Sequence, residues 1–343
     1  MIGSKSKTCI ISLFIAALFF IIFFRKYIIR KNKVGIIGVS IAGIAIILIM
    51  VLNISSIKNT INTIFHISKS EPVLTNIQTK NDLIITYKGN DLIINVSKEN
   101  DGINILLKDN NSNIINYNID QETNSFIIND ERFSGIQVSP VLYNNLICID
   151  VKIQGKDWYF TNQTGDNTFY YINNVGKLDK IVNTDSGLFK GYESYASGRL
   201  YIWSRTIPLL KNCILLGTGA DSFSIVFPQQ DYVGKYNYGF DGQILTRPHC
   251  MYLQIGVQSG ILSLIALLVF YGMYFISSIK LYRNGKFDDF FSRAGVSIFI
   301  GTIAYMISGI TNDSTITVAP VFWVLIGIGI AINHIISGSK TRI

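Results

Sequence analysis

Five long apolar runs constrain the fold of this chain more than any other feature. They cover approximately residues 8–24, 35–53, 257–278, 294–310 and 318–337. Each run contains about 17 to 22 residues, and about 20 helical residues are needed to cross a hydrocarbon core. Charged residues make up only 15% of the chain and the mean hydropathy is +0.34, which is apolar for a soluble domain. The sequence therefore predicts a membrane protein with an α-helical transmembrane bundle of about five spans.

Basic residues predict the orientation of this bundle across the membrane, because Lys and Arg in short loops stay preferentially on the cytoplasmic side. Three basic segments fall on one face of a five-span arrangement. The opposite, extracytoplasmic face receives the N-terminus, the loop at 311–317 and the long segment between the second and third spans. We attribute the net charge of +8 to topology and expect no nucleic-acid partner. The basic residues are Arg25, Lys26, Arg30, Lys31, Lys33, Lys280, Arg283, Lys286, Arg293, Lys340 and Arg342.

The first run is interpreted as a retained span, because its basic residues lie mainly after it and no small-residue cleavage site follows. The long extracytoplasmic segment changes character near residue 185. Short isoleucine-rich runs separated by turn residues, as in DLIITYKGNDLIINV, predict a hairpin-rich β module. We therefore expect four regions. They are two spans with a basic cytoplasmic loop at 1–54, a β-rich module at 55–185, a helical catalytic-type loop at 186–256, and three spans with a cytoplasmic tail at 257–343.

Two aromatic clusters flank the turn TNQTGDNT in the β module. Residues 158–160 read Trp-Tyr-Phe, and residues 169–171 read Phe-Tyr-Tyr. Such side chains stack on sugar rings or form cross-strand pairs in a core. The pattern favours core pairs and leaves sugar stacking as the alternative.

Residues 193–223 carry a helical pattern, with apolar residues at spacings of three and four. Arg199 and Trp203 are four positions apart and share a face, where a cation and a ring can frame an anionic or sugar-bearing ligand. A solvent-facing arginine on an amphipathic helix is the alternative. Arg205, six positions beyond Arg199, points elsewhere and is predicted to be a snorkelling or surface residue. Gly217 and Gly219 permit a tight turn or a close ligand approach, but they are too few for a nucleotide-binding fingerprint.

A histidine lies just before the third span, in the stretch RPHCMYLQIGVQSG at 247–260. Histidine exchanges a proton near neutral pH, and the nearby Arg247 can hold phosphate through paired donors. Together with His249 it suits a reaction in which a hydroxyl is deprotonated and a phosphorylated group departs. Tyr252 and Gln254 follow toward the span as candidate binding residues. The alternative is that His249 is an ordinary polar residue at the membrane boundary.

The four cysteines show no Cys-x-x-Cys spacing, so the sequence predicts neither a zinc site nor a redox site. Cys9 lies at the first span. One disulfide is possible among Cys148, Cys213 and Cys250. We expect no metal and no cofactor.

The candidate residues of the helix, the glycine turn and the histidine stretch, taken in chain order, resemble a pattern found in the O-antigen ligase and polymerase superfamily of bacterial membrane glycosyltransferases. Members of that family carry an arginine and a tryptophan on a helix, a Gly-x-Gly turn, a histidine, and then a glycine and a small residue as the next span begins. Three positions depart from the pattern: Cys250 replaces an amide residue, Gln258 replaces a common glutamate, and Ser263 replaces a glycine. The residues that occupy the positions of the pattern are Arg199, Trp203, Gly217, Gly219, His249, Gly260 and Ser263.

The resemblance implies transfer or polymerisation of a glycan carried on undecaprenyl pyrophosphate, at the outer face of the bacterial cytoplasmic membrane. It implies that Arg199, helped by Arg247, holds the donor pyrophosphate and that His249 activates the acceptor hydroxyl. It further implies a lipid-linked glycan donor and a glycan or cell-envelope acceptor as partners. The residues that would bind substrate are Arg247, Trp203, Gly217, Gly219, Tyr252 and Gln254.

Family members usually have more spans than this chain, so another membrane protein or self-association would have to supply the rest of the lipid channel. Two other functions stay open. The chain is alternatively a membrane-anchored binding or sensor protein whose β module recognises an envelope polymer. It is alternatively an inactive scaffold for polysaccharide synthesis.

Overall fold

The computed structural model describes residues 7–31, 69, 71–99, 102–143, 146–184, 186–283, 285 and 287–340. The chain divides into two compact units. We call residues 1–68, 209–223 and 247–343 the membrane unit, and residues 69–208 and 224–246 the β unit. The domain boundaries that the sequence suggests remain predictions.

The described α-helices are α1 (Lys7–Lys31), α2 (Arg199–Thr206), α3 (Phe223–Val226), α4 (Tyr232–Asn237), α5 (Met251–Ser259), α6 (Ile261–Tyr282), α7 (Phe290–Ser308) and α8 (Ala319–Lys340). The described strands are β1 (Leu74–Thr79), β2 (Leu83–Tyr87), β3 (Asn90–Glu99), β4 (Gly102–Asp109), β5 (Tyr117–Asp120), β6 (Ser125–Ile128), β7 (Ile136–Tyr143), β8 (Leu146–Ile153), β9 (Lys156–Thr161), β10 (Tyr170–Ile172) and β11 (Leu178–Asp179).

Three helices of the membrane unit, α6, α7 and α8, are long and apolar enough to cross a membrane. They correspond to the third, fourth and fifth apolar runs. Helix α6 begins at Ile261 rather than near 257, because Gly260 interrupts the helix with a φ of +99°. Within α1, residues Ser12–Phe24 form a shorter apolar helix at the first run. The second predicted span lies outside the described residues, so the number of spans and their orientation stay predictions.

Polar groups and a small residue hold the three long helices together. The Tyr282 hydroxyl of α6 donates to Asn333 Oδ1 of α8 at 2.6 Å, and Asn333 Nδ2 donates to Ser278 Oγ at 2.8 Å. Gly295 of α7 faces the Tyr282 hydroxyl so closely that a Cβ atom would overlap it. Helices in lipid associate through this kind of close backbone approach and interhelical hydrogen bond.

Two antiparallel sheets form the body of the β unit. One has the strand order β1-β2-β3-β4, and the other has the order β11-β10-β9-β8-β7-β6-β5. Strands β2 and β3 form a hairpin in which Tyr87 pairs with Asn90. Its turn residues Lys88 and Gly89 have φ values of 48° and 76°, as a two-residue hairpin turn requires. The hairpin predicted from DLIITYKGNDLIINV is confirmed.

The core of the β unit contains residues from both sheets. Trp158, Phe160, Phe169 and Tyr171 are all buried in it, with at most 2% of each side chain exposed. These aromatic residues therefore form core contacts, which is the interpretation that the sequence favoured. Tyr159 alternates with its two neighbours along β9 and is only half-buried.

We predict that Gly295→Ala destabilises the membrane unit by about 1–3 kcal/mol, the usual cost of overpacking, because the added methyl group would displace the Tyr282 ring. Gly301→Ala is the matched control in the same helix, where a Cβ atom meets nothing within 4 Å. The measurement is the thermal midpoint of the full-length protein in detergent. Equal midpoints for the two variants would contradict the tight packing at Gly295.

Candidate functional site

Arg199 and Trp203 both lie on helix α2 of the β unit. Arg199 is the first residue of the helix and is half-buried, and Trp203 packs with its ring 6.2 Å from that of Phe189. Gly198, before the helix, has a φ of +77° and would place a Cβ atom 2.6 Å from the Phe240 ring. Within the described part of the chain, Arg199 forms no ion pair. A role of Arg199 and Trp203 in substrate binding stays a prediction.

Arg205, on the same helix, has a structural role. It is 8% exposed, its Nε donates to Asp231 Oδ2 at 2.8 Å, and its Nη1 donates to Ser204 Oγ at 3.0 Å. Glu193 Oε1 lies 3.7 Å from Nη1. The prediction that Arg205 lies at the surface is wrong, because two carboxylates distant in sequence neutralise it inside the β unit.

His249 lies directly before helix α5 of the membrane unit and has a φ of 53°. Its Nδ1 is 3.2 Å from Asp313 Oδ2, and the side chains are 45% and 5% exposed, respectively. The other carboxylate oxygen, Asp313 Oδ1, accepts the backbone N–H of Cys250 at 3.2 Å. The solvent-accessible imidazole of His249 thus lies against a buried carboxylate, which is held in place by a second contact, the hydrogen bond from the Cys250 N–H.

Asp313 is the residue that the sequence reasoning missed. It belongs to the loop 311–317 between α7 and α8, more than 60 positions from His249 along the chain. One feature of the sequence pointed toward Asp313: the short loop that contains it was predicted to lie on the same extracytoplasmic face as His249. A pairing between the two residues was not predictable from their spacing.

The loop after α7 also fixes the start of α5. The Met251 N–H donates to the carbonyl oxygens of Gly309 and Asn312, at 2.8 and 2.9 Å. Cys250 occupies the N-cap position without a side-chain cap hydrogen bond. Backbone carbonyls at the end of α7 and in the loop instead accept the first N–H group of the helix, that of Met251. The first turn of α5 therefore depends on this loop.

Two predicted binding residues, Tyr252 and Gln254, also attach α5 to α7 and to the loop that follows α7. Tyr252 donates its hydroxyl hydrogen to Met306 O at 2.8 Å, and Gln254 Oε1 accepts the Ser314 N–H at 2.9 Å. Burial raises the pKa of the Tyr252 phenol to about 12. In the structure both side chains hold α5 against α7 and the following loop, and their role in substrate binding stays a prediction.

A cavity of about 490 Å³ adjoins this attachment within the membrane unit. Its polar lining includes Gln254, Gln258 and Ser314, and its aromatic lining includes Tyr271 and Trp323. A space lined by apolar rings and a few polar groups suits an amphipathic ligand. Gln258, one of the three positions that depart from the pattern described above, thus lines this cavity.

The Gly-Thr-Gly turn lies in a segment that we call the connector, residues 213–219. The Thr218 and Gly219 N–H groups donate to the Val257 and Gln258 carbonyls at the end of α5, at 2.9 and 3.0 Å. Gly217 packs so closely on the backbone of Gln258 that a Cβ atom would overlap it. The close approach expected at this turn is made to a helix end, and a role of Gly217 and Gly219 in substrate binding stays a prediction.

Arg247 is exposed and lies two residues before His249 in the membrane unit. Cys148, Cys213 and Cys250 are all free and buried, so the disulfide considered from the sequence does not form among them. Burial raises the pKa of the Cys250 thiol. A buried thiol of raised pKa is a poor nucleophile.

Residues 160–268 match the model of the O-antigen ligase family. The resemblance to the O-antigen ligase and polymerase superfamily is thereby confirmed, and the matched segment contains Arg199 and His249. The match supports a glycan-transfer role of the ligase or polymerase type in a bacterial membrane. No curated protein and no solved structure matches the chain significantly.

We predict that Gly217→Ala lowers the stability of the protein far more than Gly219→Ala. The first substitution forces a methyl group against backbone atoms of Gln258, which cannot move aside, whereas a Cβ atom at Gly219 meets nothing within 4 Å. At Gly219 the cost is mainly that of its φ of +101°, about 1 kcal/mol. Thermal midpoints of the two full-length variants, measured in detergent, test this. The reverse order would show that the connector does not cap α5 in this way.

Proposed function

We propose that this chain transfers or polymerises a glycan carried on undecaprenyl pyrophosphate, at the outer face of the cytoplasmic membrane. The observation that carries the proposal is the pair of His249 and Asp313 at the start of α5. It is supported by the match of residues 160–268 to the O-antigen ligase family and by the helices able to span a membrane.

His249 would act as the general base. With Asp313 beside Nδ1, the ring proton is held on that nitrogen and Nε2 is left as a proton acceptor. The acceptor hydroxyl gives its proton to Nε2 while its oxygen bonds to the anomeric carbon of the donor sugar. The bond from that carbon to the pyrophosphate oxygen breaks, and undecaprenyl pyrophosphate leaves with the electron pair. Asp313 acts as a positioning residue, because it orients the imidazole and stabilises the imidazolium.

Arginine would stabilise the departing pyrophosphate. A guanidinium offers paired N–H donors that fit phosphate oxygens, and its charge offsets the charge that develops on the leaving group. Arg199 suits this role because it is half-buried and forms no ion pair within the described residues. Arg247 is exposed and close in sequence to the base, so we assign it a supporting contact.

A second candidate function is recognition of an envelope polymer by the β unit. The favouring observation is the pair of Tyr143 and Tyr159, whose rings stack at 5.4 Å on the face of the seven-stranded sheet that points away from the core. Asp150 lies opposite Tyr159 in the neighbouring strand. Stacked rings beside a carboxylate can bind a sugar, so this function depends on different residues from the transferase.

We predict that His249→Ala lowers glycan transfer about 10²- to 10⁴-fold, the usual contribution of a general base. Asp313→Asn should also lower transfer, with Asp313→Glu retaining more, and Arg199→Ala should weaken stabilisation of the leaving group. The measurement compares surface glycan, resolved by chain length, from a deletion strain complemented with each variant at equal membrane abundance. His334→Ala, on an exposed position of α8, is the matched histidine control.

Full rescue by His249→Ala and Arg199→Ala would reject the transferase. If Tyr159→Ala then lost the glycan, the polymer-binding function would be favoured. If every one of these variants rescued but the chain itself were required, the protein would act as a scaffold.

A further inference from the structure

Three consecutive aliphatic side chains of the connector are uncovered. Ile214, Leu215 and Leu216 are 60%, 71% and 81% exposed, respectively. Scattered exposed apolar residues are ordinary, but adjoining ones of this exposure form a patch that marks an interaction surface. Cys213, directly before them, is 1% exposed, so the connector is anchored at one end while its apolar side chains point outward.

Backbone hydrogen bonds place this patch at the beginning of α6. The Ile261 N–H donates to Cys213 O at 2.8 Å, and the Leu262 N–H donates to Ile214 O at 3.1 Å. Gly260 leaves room for the approach, since a Cβ atom there would lie 2.9 Å from Leu215 O. The patch therefore lies beside the first turn of a helix long enough to cross a membrane.

The apolar surface continues from the connector along α6. Leu262, Ile265 and Val269 are 57%, 51% and 56% exposed, as expected for side chains that face lipid. Lys211 and Asn212, immediately before the connector, are exposed polar residues. A polar segment that leads into an apolar one is typical of chains at a membrane interface, where Lys reaches the headgroup region.

We propose that Ile214, Leu215 and Leu216 insert among the acyl chains of the leaflet in which α6 begins. The occupant of the patch is thus lipid, because the patch is continuous with the lipid-facing side of α6. The backbone of the connector suits this depth, since carbonyls of Cys213 and Ile214 and N–H groups of Thr218 and Gly219 are hydrogen-bonded to α5 and α6. The inserted side chains would fix the end of α5, and with it the residues at its start, at the membrane surface. This inference is independent of the proposed glycan transfer.

The test measures the depth of spin labels in the full-length protein, reconstituted into vesicles of phosphatidylethanolamine and phosphatidylglycerol. Labels are attached separately through Leu215→Cys, Leu216→Cys, Ile265→Cys on α6 and Asp221→Cys, an exposed polar control. Molecular oxygen dissolves in the hydrocarbon, whereas a nickel chelate stays in water. The unsubstituted protein, in which Cys148, Cys213 and Cys250 are buried, gives the background signal.

We expect labels at positions 215, 216 and 265 to collide more often with oxygen than with the nickel chelate. The label at position 221 should collide more often with the nickel chelate than with oxygen. A water-like ratio at both 215 and 216 would overturn the proposal. Shielding from both reagents would also overturn it, because protein would then cover the patch, and spin–spin broadening would identify that protein as a second copy of this chain. No glycan substrate takes part, so failure of the proposed function would not affect the result.

Discussion

The interruption of the helix at Gly260 is the constraint on which the rest of the membrane unit depends. A break between α5 and α6 leaves carbonyls at the end of one helix and N–H groups at the start of the next without helical partners. The connector satisfies two groups of each kind through its own backbone. Glycines make this possible, because Gly217 packs against the end of α5 and Gly260 has a φ of +99°. The break ends α5 at Ser259 and separates it from α6, the helix that is long enough to cross a membrane.

That short helix is held at both ends, which gives His249 a defined position. The connector caps the end of α5, and the loop between α7 and α8 supplies acceptors for its start. The same loop provides Asp313, whose two oxygens contact His249 and the Cys250 N–H. A histidine with a positive φ is uncommon, and this one persists because the surrounding loop and helix determine its backbone. One loop thus supplies both a backbone acceptor for the start of α5 and the carboxylate beside the candidate base.

The sequence predicted the features that arise from local periodicity. Apolar runs located α6, α7 and α8, and the alternation around Lys88 and Gly89 located the β2–β3 hairpin. It did not predict pairs of residues that are distant along the chain. Asp313 beside His249 and Asp231 beside Arg205 depend on tertiary packing, and no local pattern encodes them. The start of α6 was placed too early for a related reason, because hydropathy does not register a change in backbone direction at one glycine.

The most direct test of the central claim is transfer by the purified full-length protein in vesicles. The donor is the undecaprenyl-pyrophosphate-linked glycan extracted from the deletion strain, and the acceptor is envelope material from the same cells. The account predicts that glycan appears on the acceptor with one undecaprenyl pyrophosphate released per transfer. It also predicts that His249→Ala lowers the rates of both about 10²- to 10⁴-fold while the protein stays folded. Equal transfer and release by the wild type and by His249→Ala would contradict it.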